Sequence, residues 1–204
     1  MVIFDWSGVI SDDRRPVYES NMRVLEAHGK KRFTFEEWLP RTTLTPIELF
    51  ANHGVTGDRE VLFREYRDNL AQVKKEGIVT TVYPDAKVAL QSLAEKGKEL
   101  VVISSHPEEH LLKEAIDYGV KRYFSKFVGN VKDKAQELSE LCSVQGINPL
   151  DTVYVGDTIY DIQAAKKAGV RSVGITNGYH VKERLRTENP EFIVDSLTEL
   201  SSLF

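Results

Sequence analysis

The chain has 204 residues, 41% hydrophobic and 28% charged, which is enough to bury a full core and too apolar for a disordered tail. Its formal charge of −4 comes from interspersed acidic and basic residues, so no single-sign field favours nucleic acid as a partner, while small anionic substrates stay possible in a locally positive cleft. One cysteine, Cys142, rules out an internal disulfide and a cysteine-cluster metal site, and without an apolar stretch of about 18 residues or a basic, apolar leader the sequence reads as soluble and cytoplasmic, with no membrane partner.

The first predicted strand, Val2-Phe4, runs into Asp5-Trp6-Ser7-Gly8-Val9, which places a carboxylate directly after an apolar run and a hydroxyl two residues later. From Ile10 to about Thr81 the strand pattern gives way to helix signals. Thr34 with Glu37 and Thr45 with Glu48 are spaced as capping boxes, Pro46 suits a first helical position, and Asp58 is placed to cap a helix from Arg59 to about Lys75. Within that helix Leu62, Phe63, Tyr66 and Leu70 recur at helical spacing and are expected to be core, with Arg64, Glu65, Arg67 and Asp68 in solvent.

Pro84 opens a further helix whose Ala86, Ala89, Leu90 and Leu93 share one face, and Gly97 closes it before a strand near Leu100-Ile103. A helix is expected over Glu108 to Tyr118. Another runs from Lys134 to about Cys142, capped by Asp133, with Gln136 completing a capping box. Strands follow at Val153-Val155, Arg171-Ile175 and Phe192-Val194, and a helix from Asp161 to Ala168 ends at Gly169. Unbroken apolar strands separated by helical patterns predict an α/β core with a parallel sheet, and the helical stretch predicts an insertion into it.

In such a sheet ligands collect beyond the carboxyl ends of the strands. Asp5 lies there, as do Ser104 and Ser105 after Val101-Ile103, and Gly156-Asp157-Thr158-Ile159-Tyr160-Asp161 after Val153-Val155. Lys134 starts a helix after Phe127-Val128-Gly129, with Lys132 just before it. Two aspartates from separate strands suit a hard cation such as Mg²⁺, and Asp161 is placed to orient a bound water or to support a ligand. Singly, each residue also fits a turn, a cap or a solvated helix position. Jointly, carboxylate, hydroxyl, lysine and cation compose a phosphoryl-transfer site.

These motifs, in this order, resemble the haloacid dehalogenase (HAD) superfamily over residues 1 to about 178. Gly156-Asp157-Thr158 with Asp161, followed by Ala164-Ala165, Ala168-Gly169 and Gly174-Ile175-Thr176-Asn177-Gly178, resembles its phosphoglycolate-phosphatase-like branch. The resemblance implies a Rossmann-like parallel sheet core at residues 1–10 and 83–204, with an all-helical cap inserted at 11–82. It implies a Mg²⁺-dependent phosphatase acting on a small phosphorylated metabolite, and a monomer is compatible with it. Asp5 then matches the nucleophile that becomes phosphoaspartate. Ser104 matches the phosphoryl-binding hydroxyl, with a backbone N–H at Ser105 beside it. Lys134 matches the charge-neutralising lysine, with Lys132 the alternative because the familiar Lys-Pro signature is missing. Asp157 matches the metal ligand, Asp161 the supporting carboxylate, and the Ser7 carbonyl a further metal ligand.

Ser7 departs from the family pattern. Aspartate is usual there as general acid and then general base, and serine has no accessible pKa near neutrality, so about 10²–10⁴-fold in rate is at stake. P-type ATPases are similar in carrying threonine at that place, and phosphonoacetaldehyde hydrolase is similar in its Asp-Trp-small-Gly opening. The latter uses an early cap lysine, and the matching stretch Arg41-Thr42-Thr43-Leu44-Thr45 has none. A phosphonatase, a phosphoryl transferase and a catalytically impaired phosphometabolite-binding or interaction protein are therefore the alternatives. Arg41 and His106 are further candidates to touch substrate, His106 also as a proton carrier, and Trp6 is expected to pack or to shape the cap interface.

Overall fold

The computed structural model describes residues 1–204. The chain divides into two compact units, residues 1–12 with 82–204 and residues 13–81. Its strands are β1 (Val2–Phe4), β2 (Ser11–Asp12), β3 (Thr81–Val82), β4 (Leu100–Ile103), β5 (Lys126–Val128), β6 (Val153–Gly156), β7 (Arg171–Ile175) and β8 (Phe192–Val194). β2 and β3 pair with each other, and the other six form one parallel sheet in the order β5-β4-β1-β6-β7-β8. From β1 the chain builds outward through β4 and β5, then returns to lay β6, β7 and β8 on the opposite side. Its topological switch point therefore lies at β1.

The helices of the smaller unit are α1 (Arg14–Ala27), α2 (Phe35–Trp38), α3 (Pro46–Asn52) and α4 (Arg59–Lys75). Those of the larger unit are α5 (Ala86–Glu95), α6 (Glu108–Asp117), α7 (Lys134–Gln145), α8 (Ile159–Ala168), α9 (Lys182–Arg186) and α10 (Leu197–Ser202). No helix is long and apolar enough to cross a membrane.

The strands read as continuous apolar runs because both sheet faces are covered. Val2, Phe4, Leu100 and Val102 pack with Leu90 and Leu93 of α5, Leu111 of α6 and Leu197 of α10. Ile3, Val101, Ile103 and Tyr154 pack on the other face with Leu138 and Leu141 of α7 and Ala165 of α8. Alternate residues of one short strand thus hold helices on opposite sides, and truncating a fully buried one such as Ile3 to alanine costs about 2–5 kcal/mol.

Local signals set most helix ends. Thr34 and Glu37 form both bonds of a capping box. The Thr45 hydroxyl accepts from Glu48 N–H at 3.3 Å, and Asp58 Oδ1 accepts from Glu60 and Val61 N–H at 2.9 and 3.0 Å. Asp133 caps α7, but Gln136 does not complete a capping box; its amide donates to Glu140 one turn on, and α7 continues to Gln145 before Gly146. α5 begins at Ala86 with Pro84 in the preceding turn, and α8 begins at Ile159 rather than Asp161 because Thr158 is its N-cap.

Other elements follow from packing. β5 is an edge strand with no fully buried residue, so its apolar pattern is faint. α1 lacks a side-chain cap bond and first-turn acids, yet buries Tyr18, Met22 and Leu25 within its own unit. Phe63 is a correction to the expected core of α4: it is 43% exposed, with Tyr66 stacked beside it and the Arg67 guanidinium over its ring. The buried face of α4 is instead marked by Leu62 and Val73, eleven residues or about three turns apart.

Candidate active site

Sheet register brings the strand-tip residues together. Phe4 pairs with Val102 on one side and with Val155 on the other. Asp5 therefore stands level with Ile103 and Gly156, and Ser104 and Asp157 flank it one residue further out. The Asp5 N–H donates to the Val155 carbonyl at 2.9 Å, so the nucleophile candidate still belongs to the sheet ladder. The chain then turns sharply: Ile10 and Ser11 N–H both donate to the Trp6 carbonyl at 2.9 Å, and Gly8 N–H donates to the Ser11 carbonyl at 2.8 Å. Ser7 is half-buried in this turn.

Lys134, the first residue of α7, reaches across the site. Its Nζ lies 2.9 Å from Asp5 Oδ2 and 2.7 Å from Asp161 Oδ1. Asp161 Oδ1 also accepts from the Tyr154 hydroxyl at 3.2 Å, while Oδ2 accepts from Thr158 N–H at 3.1 Å and from the Thr158 hydroxyl at 2.5 Å. Both Asp161 oxygens are thus engaged by protein donors. The third residue of α8 acts as the reciprocal half of a capping box and as an anchor for Lys134.

The three carboxylates differ electrostatically for reasons visible in these contacts. Burial pushes the Asp161 pKa upward, but Lys134 and Thr158 outweigh it and hold the group below the ordinary range. Burial and the neighbouring Asp161 raise Asp5 despite Lys134. Burial, then Asp161 and Asp5, push Asp157 well up. Lys134 is held well above its ordinary value: burial opposes its charge, and Asp161 and Asp5 overcome that opposition.

Asp157 is the carboxylate with capacity left. Its Oδ2 accepts from Tyr179 N–H at 2.7 Å, whereas its Oδ1 is buried with no hydrogen-bond partner. Backbone without side chains makes room for it, because a Cβ at Gly8 or at Gly178 would come within 2.2 Å of Asp157 Oδ2. Gly8 also has φ +74°, which side-chain-bearing residues rarely adopt. One ligand oxygen from each of Asp5, Asp157 and Asp161 falls within 4.8 Å of the others. An all-oxygen cluster with a buried, unbonded carboxylate oxygen fits a hard divalent cation, Asp5 and Asp157 offering the ligands and Asp161 the support.

The remaining candidates separate. Ser104 is buried, and its Oγ accepts from His106 N–H at 3.4 Å. His106 is half-buried and Ser105 exposed on the same turn, and Lys132 is exposed on the loop before α7. Arg41 belongs to the helical unit, where its guanidinium donates to the Glu37 carbonyl and lies 5.1 Å from the Phe33 ring centroid. Trp6 packs in the core of the sheet unit, its Nε1–H donating to Glu114 Oε2 at 2.7 Å and its ring stacked on Tyr118.

Sequence reasoning missed Tyr154, Thr158, Tyr179 and His180. Tyr154 reads as an apolar strand residue, and only tertiary contact shows its hydroxyl at Asp161. His180 is buried, and its Nδ1 accepts from Ile159 N–H at 3.0 Å. Burial, reinforced by the charge of Arg184, lowers its pKa to about 4, so it is neutral with the proton on Nε2.

The fold and this cluster define a class. The sequence profile of haloacid dehalogenase-like hydrolases matches residues 2–175. The chain belongs to the haloacid dehalogenase-like hydrolase family. It is similar to the phosphoglycolate phosphatase of Haemophilus influenzae, 32% identical over 143 residues, 68% of this chain and 61% of that protein. Phosphoglycolate phosphatase 1 of Pseudomonas aeruginosa is 32% identical over 218 residues, 98% of this chain and 78% of that protein. The chain thus spans about three fifths of the length of several curated relatives that it matches. A haloacid dehalogenase-like family hydrolase from Streptococcus pneumoniae has the same fold, with a TM-score of 0.85 at 17% identity over 100% of this chain and 97% of that one. So does a predicted phosphoglycolate phosphatase from Haemophilus somnus, with a TM-score of 0.80 at 20% identity over 100% and 96%.

Proposed function

We propose that this chain is a Mg²⁺-dependent phosphatase that hydrolyses a small phosphate monoester through an aspartyl phosphate on Asp5. The observation that carries the reading is the buried cluster itself: Asp5 at the switch point, bonded to Lys134, beside an Asp157 oxygen that no protein donor satisfies. Ser7, through its carbonyl, Asp5 and Asp157 would hold the cation, which when bound supplies positive charge against the incoming phosphate.

In the first half-reaction an Asp5 oxygen attacks phosphorus, the new O–P bond forms, and the ester O–P bond breaks toward the leaving alcohol. Lys134 offsets phosphoryl charge, and Ser104 donates its hydroxyl to a phosphoryl oxygen. Ser105 N–H, and at longer reach Lys132, Arg41 or His106, are the groups proposed to meet the rest of the substrate. In the second half-reaction water hydrolyses the acyl phosphate and restores the Asp5 carboxylate.

Proton transfer is the weak step. Serine at position 7 neither gives the leaving alkoxide a proton nor takes one from water, so turnover of poor leaving groups is slower by about 10²–10⁴-fold than with an aspartate in that place, unless another residue such as His106 carries the proton. Relatives called phosphoglycolate phosphatase support a small phosphorylated acid as substrate.

The test is metal-dependent phosphate release from an aryl phosphate, whose leaving group needs little protonation, followed by a panel of metabolite phosphates headed by phosphoglycolate. Release that vanishes in Asp5→Asn supports the reading. No release above that variant's background with Mg²⁺ present overturns it in favour of a binding or interaction protein. Ser7→Asp is expected to raise turnover on alkyl phosphates, and no gain would assign proton transfer to another group.

A further inference from the structure

The loop after β7 grips Asp157 at three points. Gly178 makes way for its side chain, Tyr179 N–H donates to Oδ2 at 2.7 Å, and His180 N–H donates to the Asp157 main-chain carbonyl at 3.2 Å. This grip leaves Oδ1 as the one buried Asp157 oxygen without a partner. What holds the loop in register is the buried His180 side chain: its Nδ1 takes the first N–H of α8, at Ile159, one of the amides a helix start cannot satisfy internally. The ring of Tyr160 lies 6.0 Å from the imidazole, in the same short segment as Asp157.

We infer that His180 is a positioning residue for the cation site: by joining the β7 loop to the start of α8 it fixes the Asp157 carboxylate, with Oδ1 presented to a divalent cation. The inference rests on the metal reading of the Asp5–Asp157 pair. It goes further in assigning cation affinity to a histidine that is itself no ligand. Groups that orient metal ligands typically change affinity by about 10–100-fold when lost.

Two substitutions separate positioning from packing. Asparagine carries its Oδ1 on Cγ, where histidine carries Nδ1, so His180→Asn keeps an acceptor for Ile159 N–H. His180→Ala removes it. Mn²⁺ is titrated into each metal-free protein and binding is followed by loss of the free-ion paramagnetic resonance signal, with thermal unfolding as the folding control.

Wild type is expected to bind, His180→Ala to bind about 10–100-fold more weakly, and His180→Asn to recover most of the affinity. KM for the aryl phosphate at saturating Mg²⁺ is expected to stay near the wild-type value in both. Equal Mn²⁺ affinity in His180→Ala and wild type overturns the inference, as does a folded His180→Asn as weak as alanine. If His180→Ala does not fold, His180→Gln takes its place, since its acceptor sits one bond further out, and binding as tight as in His180→Asn again overturns the inference. Failure of wild type itself to bind Mn²⁺ overturns the metal reading as well, which distinguishes the two.

Discussion

The two units handle charge in opposite ways. In the sheet unit Asp5, Asp157 and Asp161 are buried around Lys134, so three carboxyl groups share one ammonium, and burial disfavours the ionised forms of Asp5 and Asp157. In the helical unit the pairs Arg23–Glu76 and Arg32–Glu19 keep access to solvent. Solvated pairs contribute little to stability and cost little, whereas a buried, unbalanced cluster is a standing cost to the fold. The difference is the physical ground for placing the candidate site in the sheet unit.

The largest expected effect is on turnover: Asp5→Asn should lower phosphate release by on the order of 10⁴-fold or more, to background, while the protein stays folded. Next comes Lys134→Met, which strands two buried carboxylates and should destabilise the metal-free protein by about 3–5 kcal/mol in denaturant unfolding. Added Mg²⁺ should restore part of that loss. A variant as stable as wild type would mean that the cluster is better hydrated than its burial indicates.

Asp157→Asn should move the other way. Burial and the neighbouring carboxylates disfavour its charge, so neutralising it is expected to stabilise the metal-free fold by about 0.5–2 kcal/mol while abolishing Mn²⁺ binding. Lower stability would contradict the cost assigned to the cluster.

The smallest effects belong to the helical unit. Arg32→Met should cost less than about 1 kcal/mol, and added salt should shrink that difference. Arginine partners hold Glu19 below its ordinary 4.5, and Arg23 with Gln72 holds Glu76 down at about 2. Folded pKa values below the unfolded one mean that this contribution is complete above about pH 4.5 and is lost as pH falls toward 2. Acid titration of wild type against Arg23→Met, which removes the partner of Glu76, should show the difference fading over that interval.

Legibility of the fold followed the range of the interaction. Caps at Thr34, Asp58 and Asp133 and the closing glycines Gly97 and Gly169 are visible because a cap and its amides lie within a few residues. α1 carries no such signal, and Phe63 follows a plausible periodicity but turns out to be exposed, because which face of α4 is covered depends on the neighbouring helices of its unit. The same division runs through the site. Asp5, Ser104 and Asp157 are legible because each lies just past the carboxyl end of an apolar strand. Tyr154 and His180 act through partners that no local pattern names.

The sequence by itself therefore determined the parallel α/β core, its helical insertion and the carboxylate, hydroxyl and lysine types of the candidate site, since strand periodicity, capping and strand-tip position are all local. Only the tertiary structure decided that Lys134 rather than Lys132 bridges Asp5 and Asp161, that Trp6 belongs to the core of the sheet unit, and that Asp157 keeps an unbonded oxygen. Those outcomes depend on strand register and on the loop after β7 closing over α8, contacts between residues far apart in the chain whose geometry no short stretch of sequence encodes.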